Sequence, residues 1–194
     1  MSCGKGDRIG IIGANGSGKT TVLHILMGLL SPTSGSVELF GKERTREEDF
    51  REARRRMGFV FQDADDQLFC PTVAEDVAFG PRNLGKSAPE AHDITHRVLS
   101  MLDIEHLEER VTYQLSGGEK RLVALATALA MEPEILILDE PATGLTEDAT
   151  EHLLKVLDRH VPTSIIVSHD LRFLNRAVER TLTLKTGLLW VWGT

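Results

Sequence analysis

Eight residues near the start of the chain have the types and the spacing needed to hold a phosphate group. They read Gly13-Ala14-Asn15-Gly16-Ser17-Gly18-Lys19-Thr20 and match the pattern GxxxxGK followed by Ser or Thr in full. Glycines let consecutive backbone N–H groups point at phosphate oxygens, and the following helix N-terminus adds a positive dipole. The pattern predicts a nucleotide site formed by Gly13, Asn15, Gly16, Ser17, Gly18, Lys19, Thr20 and Thr21.

Within this pattern two side chains have distinct chemical roles. Lys19 can contact the two outermost phosphates of a nucleoside triphosphate, and the hydroxyl of Thr20 can ligate a magnesium ion. A pair of carboxylates that follows the run ILILD complements them, because Asp139 and Glu140 stand where a buried strand leaves its sheet. There Asp139 can hold magnesium through its water shell, and Glu140 can reach a water that attacks the terminal phosphate.

A third candidate is the run LSGGE at residues 115–119. Ser116 is a residue type that caps helix N-termini, and the N–H groups of Gly117 and Gly118 at a helix start are good donors to a phosphate. The capping role and the anion-binding role are compatible, because the same geometry serves both.

Alternating strand and helix patterns must position these residues. Nearly continuous β-branched and leucine runs predict strands buried on both faces of a largely parallel sheet. The predicted strands cover 8–13, 36–40, 58–62, 135–139, 164–168 and 181–185. Apolar periodicity predicts helices over 19–30, 45–57 and 147–160. The fold class is therefore α/β.

The stretch 63–133 has a different character, because prolines punctuate several helical patterns and no convincing strand interrupts them. We expect this stretch to form a helical subdomain that carries the LSGGE run. Residues 1–62 and 134–194 then form the catalytic core of one domain that spans 1–194. A chain of this length can bury a substantial core.

Composition excludes several classes of function. The net charge is −7, and the acidic and basic residues are interspersed, so no basic stripe for nucleic acid is present. Two cysteines, Cys3 and Cys70, form no disulfide framework and no metal-binding pair, which favours a reducing compartment. The apolar run 122–131 is too short to span a bilayer, and no signal segment precedes it. We therefore expect no nucleic-acid partner and no direct membrane insertion.

In this order the motifs resemble the nucleotide-binding subunit of an ATP-binding cassette (ABC) transporter. The resemblance covers almost the whole chain and adds Gln62 after a strand and His169 after another strand. It implies a P-loop NTPase fold of the RecA-like kind with an inserted ABC α-helical subdomain. It also implies the binding of ATP and Mg²⁺, with Glu140, His169 and Gln62 as catalytic residues and Thr20, Gln62 and Asp139 around the metal.

The resemblance further implies that two subunits face each other head to tail and close two ATP molecules between them. Ser116, Gly117 and Gly118 of one subunit would then contact the ATP held by the phosphate loop of the other. The implied partners are a second ABC ATPase subunit, identical or not, and an integral membrane subunit. The implied location is the cytoplasmic side of the cell membrane, through that membrane partner.

Residues 62–69 and 72–84 are similar to the ATPases of cobalt and nickel importers and of energy-coupling-factor vitamin importers. The resemblance therefore implies the ATP-hydrolysing subunit of an importer, with a cargo that the sequence does not identify. Read without the family, the stretch is an acidic loop that leads into a short amphipathic helix. That helix packs in the core or forms the floor of a groove for a partner helix.

The chain departs from the family pattern at three places. The family begins with strands that carry an adenine-stacking aromatic, whereas this chain starts at Met1 just before Lys5, so we expect weak ATP binding. Thr146 stands where Asp is usual, yet it can still cap the next helix. Glu119 replaces the usual glutamine and adds a negative charge near a phosphate site unless it points away.

Two alternative functions remain open at this point: a non-transport ABC ATPase of DNA repair or translation, and an ATP-gated dimerisation module with weak turnover. Relatives of the first kind usually carry long coiled-coil insertions or two cassettes, and this chain has neither. A zinc site at His92 and His96 is not expected, because Asp93 stands where a zinc-binding HExxH helix has its glutamate, and no third ligand is evident.

Overall fold

The computed structural model describes residues 1–191 of the chain. A six-stranded β-sheet forms the centre of the fold. Its strands are β1 (Arg8–Ile12), β4 (Met57–Val60), β5 (Ile135–Asp139), β6 (Ser164–Val167), β7 (Arg180–Lys185) and β8 (Leu188–Val191). They lie in the order β4-β5-β6-β1-β7-β8, and all neighbours are parallel except β7 and β8. A separate hairpin pairs β2 (Val37–Leu39) with β3 (Lys42–Arg44).

Seven α-helices connect or cover these strands within the described residues. They are α1 (Lys19–Leu26), α2 (Glu47–Arg54), α3 (Val73–Asn83), α4 (Ala88–Met101), α5 (Gly117–Ala130), α6 (Glu147–His160) and α7 (Leu171–Ala177). Three of them, α3, α4 and α5, begin at a Thr or Ser whose side chain and a glutamate three residues later cap each other's N–H groups. Such reciprocal caps specify where a helix begins.

The central strands bury both of their faces. In β5, Leu136 and Leu138 join one hydrophobic cluster, while Ile137 between them joins the other. This alternation follows from the two-residue period of a strand. The first cluster also contains Val77 of α3 and Val123 of α5, so the helices between 63 and 133 share a core with the sheet. The bounds of a separate helical subdomain stay a prediction, although α3 to α5 fall inside the predicted range.

The predicted α/β fold with a mostly parallel sheet is confirmed. The bounds predicted for β5 and α6 agree with the structure, and the other predicted strands differ from the observed ones by one or two residues. Long apolar runs and strong helical periodicity gave these predictions their accuracy.

One predicted helix is too long by four residues. The pattern over 19–30 predicts a single helix, yet α1 ends at Leu26. Gly28 takes a left-handed φ of 70°, and the N–H groups of Leu29 and Leu30 both turn back to the carbonyl of His24. Glycine adopts this backbone conformation without steric cost, so the helix ends there although the apolar pattern continues.

The second long prediction, over 45–57, is wrong at both ends. The structure places α2 at Glu47–Arg54, because the Asp49 carboxylate accepts hydrogen bonds from the N–H groups of Thr45 and Arg46 and thereby marks the helix start. The sequence patterns also did not predict β3, α7 and β8. The residues of β3 are all charged, and this strand forms only because a tight turn at residues 40–41, both with positive φ, folds it back on β2.

Candidate active site

The phosphate loop connects the end of β1 to the start of α1, and its fold depends on its glycines. A Cβ atom at Gly13 would lie 2.6 Å from the carbonyl oxygen of Leu184 and 2.6 Å from the Ser17 hydroxyl. Gly16 and Gly18 have φ values of 74° and 96°, which side chains with a Cβ rarely adopt. Close packing against β7 and left-handed turns therefore fix glycine at these positions.

A cavity of about 380 Å³ opens above this loop. The ammonium group of Lys19 lies 2.8 Å and 3.1 Å from the carbonyl oxygens of Gly13 and Ala14. The buried hydroxyl of Ser17 has no hydrogen-bond partner among the described residues. The described residues that line the cavity are Asn15, Gly16, Gly18, Lys19, Thr20, Thr21, Gln62, Asp139 and Glu140. The cavity thus combines most of the predicted phosphate ligands with both predicted carboxylates.

Thr20 and Asp139 meet at the floor of the cavity. The Thr20 hydroxyl donates a hydrogen bond of 2.7 Å to the Asp139 carboxylate, which is only 1% exposed. Burial raises the pKa of Asp139, and the Thr20 hydrogen bond opposes that shift. A carboxylate, a hydroxyl and the nearby amide of Gln62 are hard oxygen donors of the kind that Mg²⁺ prefers. The residues present therefore fit magnesium.

The described residues contain no cluster of three or more His, Cys, Asp or Glu side chains that could hold a metal ion. Magnesium typically binds through one or two carboxylates together with the phosphate oxygens of a substrate, rather than in a cage built by protein alone. The pair of Thr20 and Asp139 matches that mode. His92 and His96, one turn apart on α4, both lie beside Glu108, and His92 also lies beside Asp93, but they belong to no such cluster among the described residues.

The Glu140 carboxylate accepts hydrogen bonds from three groups that follow β6 and a long one of 3.5 Å from the Thr143 hydroxyl. Its Oε2 atom lies 3.1 Å from the Ser168 hydroxyl and 2.8 Å from Nδ1 of His169, and its Oε1 accepts from the His169 N–H at 3.0 Å. The backbone of Glu140 has a φ of 51°, a strained conformation for a residue other than glycine. The fold thus brings two of the predicted catalytic residues, Glu140 and His169, into direct contact across the ends of β5 and β6.

The third predicted catalytic residue, Gln62, lies two residues beyond β4 and lines the same cavity. Its carbonyl oxygen accepts a hydrogen bond of 2.9 Å from the guanidinium of Arg121, which also donates to the Glu140 carbonyl at 2.6 Å. Sequence reasoning missed Arg121. Its only signal was a basic residue in the first turns of the helix that follows LSGGE, and nothing in the sequence says that this side chain reaches two strand ends.

The LSGGE run begins α5 outside this cavity, because Ser116, Gly117 and Gly118 are not among its lining residues. The Ser116 hydroxyl caps the helix by accepting from the Glu119 N–H at 3.3 Å. The Glu119 carboxylate turns back and accepts from the Ser116 N–H at 2.7 Å. Its charge therefore lies at the helix start, and hydrogen bonds that the carboxylate accepts from the Ser116 hydroxyl and from the Ser116 N–H lower the pKa of Glu119.

The loop after β5 packs beside the LSGGE run. A Cβ at Gly118 would lie 3.5 Å from the carbonyl oxygen of Gly144. Thr146 then caps α6, accepting a 3.3 Å hydrogen bond from the Ala149 N–H, so the cap that the sequence predicted is present. In the part of the chain that the structure describes, no helix has both the length and the apolar character needed to cross a membrane.

Comparisons with known proteins show which family this chain resembles. The family described as ABC transporter matches residues 1–143. A cobalt import ATP-binding protein, CbiO of Rhodobacter capsulatus, is 46% identical over 187 residues, which cover 94% of this chain and 67% of that protein. The energy-coupling factor transporter ATP-binding protein EcfA of Methanothermobacter thermautotrophicus is 41% identical, over 100% of this chain and 64% of its own length.

Among solved structures, CbiO1 of Clostridium perfringens, part of the ABC transporter complex CbiONQ, matches with a TM-score of 0.86. Its sequence is 33% identical, and the match covers 98% of this chain and 78% of that one. The sequence identity and the shared fold together confirm the resemblance to the cobalt-importer and energy-coupling-factor group. This chain therefore belongs to the family of ABC transporter ATP-binding subunits, which are ATPases coupled to transport.

Proposed function

We propose that Glu140 is the residue that polarises the water which attacks the γ-phosphate of ATP. The observation that carries this proposal is the cage around its carboxylate, in which Ser168 and His169 hold both oxygens at the mouth of the phosphate cavity. Preorganised electrostatic groups of this kind contribute most of the rate in phosphoryl transfer. His169 keeps its ring largely exposed while it touches Glu140, so it can also contact a γ-phosphate.

The other residues of the cavity bind and orient the substrate. Lys19 and the N–H groups of the phosphate loop neutralise the phosphates, while Thr20, Asp139 and Gln62 would hold Mg²⁺. When bound, the ion neutralises charge on the phosphate oxygens. The Lys19 ammonium now rests on two loop carbonyls, so it is kept in place by contacts that phosphate oxygens can replace.

We further propose that two subunits close head to tail, because the chain alone leaves its second anion site apart from its first. Ser116, Gly117 and Gly118 lie outside the cavity, at the exposed start of α5. In a closed dimer their N–H groups would face the γ-phosphate held by the partner's phosphate loop. An isolated subunit is then nearly inactive. The second subunit is a copy of this chain or a related ATPase.

An integral membrane subunit would dock on the groove between α3 and α4. This groove has a volume of about 540 Å³ and a largely apolar lining that includes Ala74, Ala78 and Ala91. Phe69 and Phe79 beside it are exposed, and their rings meet edge to face at 4.8 Å. An amphipathic helix of a partner suits such a surface. The subunit would then work on the cytoplasmic side of the membrane. The cobalt import ATP-binding protein among its relatives supports cobalt as the cargo, and the resemblance of residues 62–69 and 72–84 also allows nickel or a vitamin.

The test replaces Glu140 with Gln in the chain assembled with its membrane partner. Glu140→Gln keeps the size and much of the hydrogen bonding of the side chain but removes its charge. We expect ATP hydrolysis to fall by about 100-fold or more, as when one preorganised electrostatic group is lost, while ATP binding and dimer closure persist. Phosphate release and the retention of labelled ATP measure the two effects.

The matched control is Glu151→Gln. Glu151 lies on α6, pairs with Arg176 at the surface, and is not among the residues that line the cavity. We expect this variant to hydrolyse ATP at the wild-type rate. Full ATPase activity and cargo uptake in the Glu140→Gln transporter would show that another group activates the water.

A further inference from the structure

We infer that Arg121 is a positioning residue. Its side chain extends from α5 and holds the backbone of Glu140 and Gln62, two of the proposed catalytic residues of the same subunit. This inference rests on the role proposed above for Glu140 and Gln62. The guanidinium donates one hydrogen bond to the backbone carbonyl of Glu140 at 2.6 Å and another to the backbone carbonyl of Gln62 at 2.9 Å. One side chain thus fixes the spacing between the backbone ends of β4 and β5.

The position of Glu140 makes it sensitive to this contact. Its φ of 51° is strained, and a strained residue keeps its conformation only while the surrounding structure holds it. Its carboxylate accepts hydrogen bonds from Ser168 and His169, which follow β6, and a long one of 3.5 Å from the Thr143 hydroxyl. Its backbone carbonyl accepts from Arg121 and from the Thr143 N–H. Loss of the Arg121 side chain would remove the hydrogen bond that joins α5 to this backbone.

Arginine suits this place better than lysine does. Its planar fork presents several N–H donors at once, whereas an ammonium on a flexible stem acts as a point charge. Partial burial lowers the pKa of Arg121, and the nearby carboxylates of Asp63, Glu140 and Asp139 oppose that shift, so the group stays charged. Its charge therefore also lies beside the acidic floor of the cavity.

The same helix is attached to the loop after β4 at two further points. The Gln67 side chain accepts from the Phe61 N–H at 3.1 Å and donates to the carbonyl of Ala124 on α5 at 2.8 Å. Lys120 on α5 pairs with Asp65 at 2.5 Å. These contacts hold helix α5 against the loop that carries Gln62.

Arg121 lies close to the start of this helix. The rise of an α-helix separates Gly117 from Arg121 by about 6 Å along the axis. Arg121 therefore connects the first turns of the helix that follows the LSGGE run with the backbone of Glu140 and Gln62 in the same subunit.

The experiment compares Arg121→Ala and Arg121→Lys with wild type, at protein concentrations where ATPase activity depends on dimer formation. We expect Arg121→Ala to lower kcat by about 100-fold, the effect of a small misplacement of catalytic groups, and to change KM for ATP by less than about threefold. Arg121→Lys keeps the charge but reaches one carbonyl, so we expect a loss of about tenfold. Added methylguanidinium should restore part of kcat in Arg121→Ala only.

The control is Arg97→Ala, which removes an arginine that pairs with Glu132 at the surface of α4. A kcat in both Arg121 variants no lower than in Arg97→Ala would overturn the inference, and so would a rise in KM that accounts for the whole effect. If Arg121→Ala fails to fold, the test rests on Arg121→Lys alone. A wild-type kcat in that variant would show that the hydrogen bonds of Arg121 to Glu140 and Gln62 do not position the catalytic residues.

Glu140→Gln, measured in parallel, separates the two ideas. If Glu140→Gln is inactive and the Arg121 variants are fully active, the role of Arg121 is refuted and the proposed function is retained. An active Glu140→Gln beside slow Arg121 variants removes Glu140 as the residue through which Arg121 acts, and the inference fails together with that assignment.

Discussion

Two glycine-rich turns in this chain lead into helices, and they treat the first N–H groups of those helices in opposite ways. The phosphate loop enters α1 at Gly18, a left-handed residue that gives no side-chain cap. The LSGGE run enters α5 at Ser116, whose side chain forms a reciprocal cap with Glu119. Helix N-termini attract anions in both cases. One turn leaves its donors uncapped for a ligand, and the other already satisfies part of them within the chain.

The surroundings of the two turns differ in the same sense. Gly13 is packed closely against the Leu184 carbonyl, and Lys19 supplies a positive charge within the phosphate loop itself. A Cβ at Gly117 would meet nothing within 4 Å, and a glutamate occupies the helix start. The first turn therefore has its phosphate-binding groups in place within one chain, whereas the second has open space that a partner can fill.

The largest difference between the two turns is expected when one methyl group is added to each of them. Gly13→Ala places a Cβ 2.6 Å from two oxygen atoms, so we expect the loop to move and ATP affinity to fall by about 100-fold. Gly117→Ala meets open space, so we expect the single chain to bind ATP as wild type does. Equilibrium binding of a fluorescent ATP analogue measures both, and equal losses in the two variants would contradict the asymmetry.

A smaller effect follows from removing one charge beside each turn. Lys19→Met deletes the ammonium of the phosphate loop, and a hydrogen bond to a charged group is typically worth about 1.5–3 kcal/mol, so ATP affinity should fall by about 10- to 100-fold. Lys120→Met removes the ammonium in the first turns of α5, which pairs with Asp65. We expect that variant to bind ATP normally in calorimetric titrations, and a matching loss there would show that both helix starts bind the same nucleotide.

The smallest effect concerns Glu119. Glu119→Gln keeps the reciprocal cap but removes a negative charge from the start of α5, and such charges are worth about 0.3–1 kcal/mol when exposed. We expect the variant to be less stable by about that amount, and its ATP-driven dimer to tighten by about two- to fivefold. Sedimentation with ATP and thermal unfolding measure these changes, and a weaker dimer would show that the carboxylate contributes to closure.

The stability difference between Glu119→Gln and wild type should also depend on pH. Hydrogen bonds from Ser116 lower the pKa of Glu119 in the folded state, so its stabilising contribution is present above the unfolded pKa of about 4.3. That contribution is lost as the pH falls through the folded pKa. Thermal unfolding from pH 7 down to pH 3 should therefore show the two proteins converge, and a constant gap would rule out the charge as its cause.

Patterns that depend on near neighbours could be predicted from the sequence. The apolar run of β5 and the periodic face of α6 gave correct bounds, because burial on two faces and helical amphipathicity leave a local signature. The hairpin strand β3 could not be predicted in this way. Its three residues are charged, and only a turn with two positive φ values places them beside β2.

In the candidate site, too, some features could be predicted from consecutive residues and others could not. The sequence alone predicts the phosphate-binding residues and the two carboxylates, because glycine spacing and strand-end position are properties of consecutive residues. The contacts of Ser168 and His169 with Glu140, and of Arg121 with Glu140 and Gln62, are visible only in the folded chain. These contacts connect residues 19 to 59 positions apart, and no local pattern encodes them because they arise from the order in which parallel strands pair.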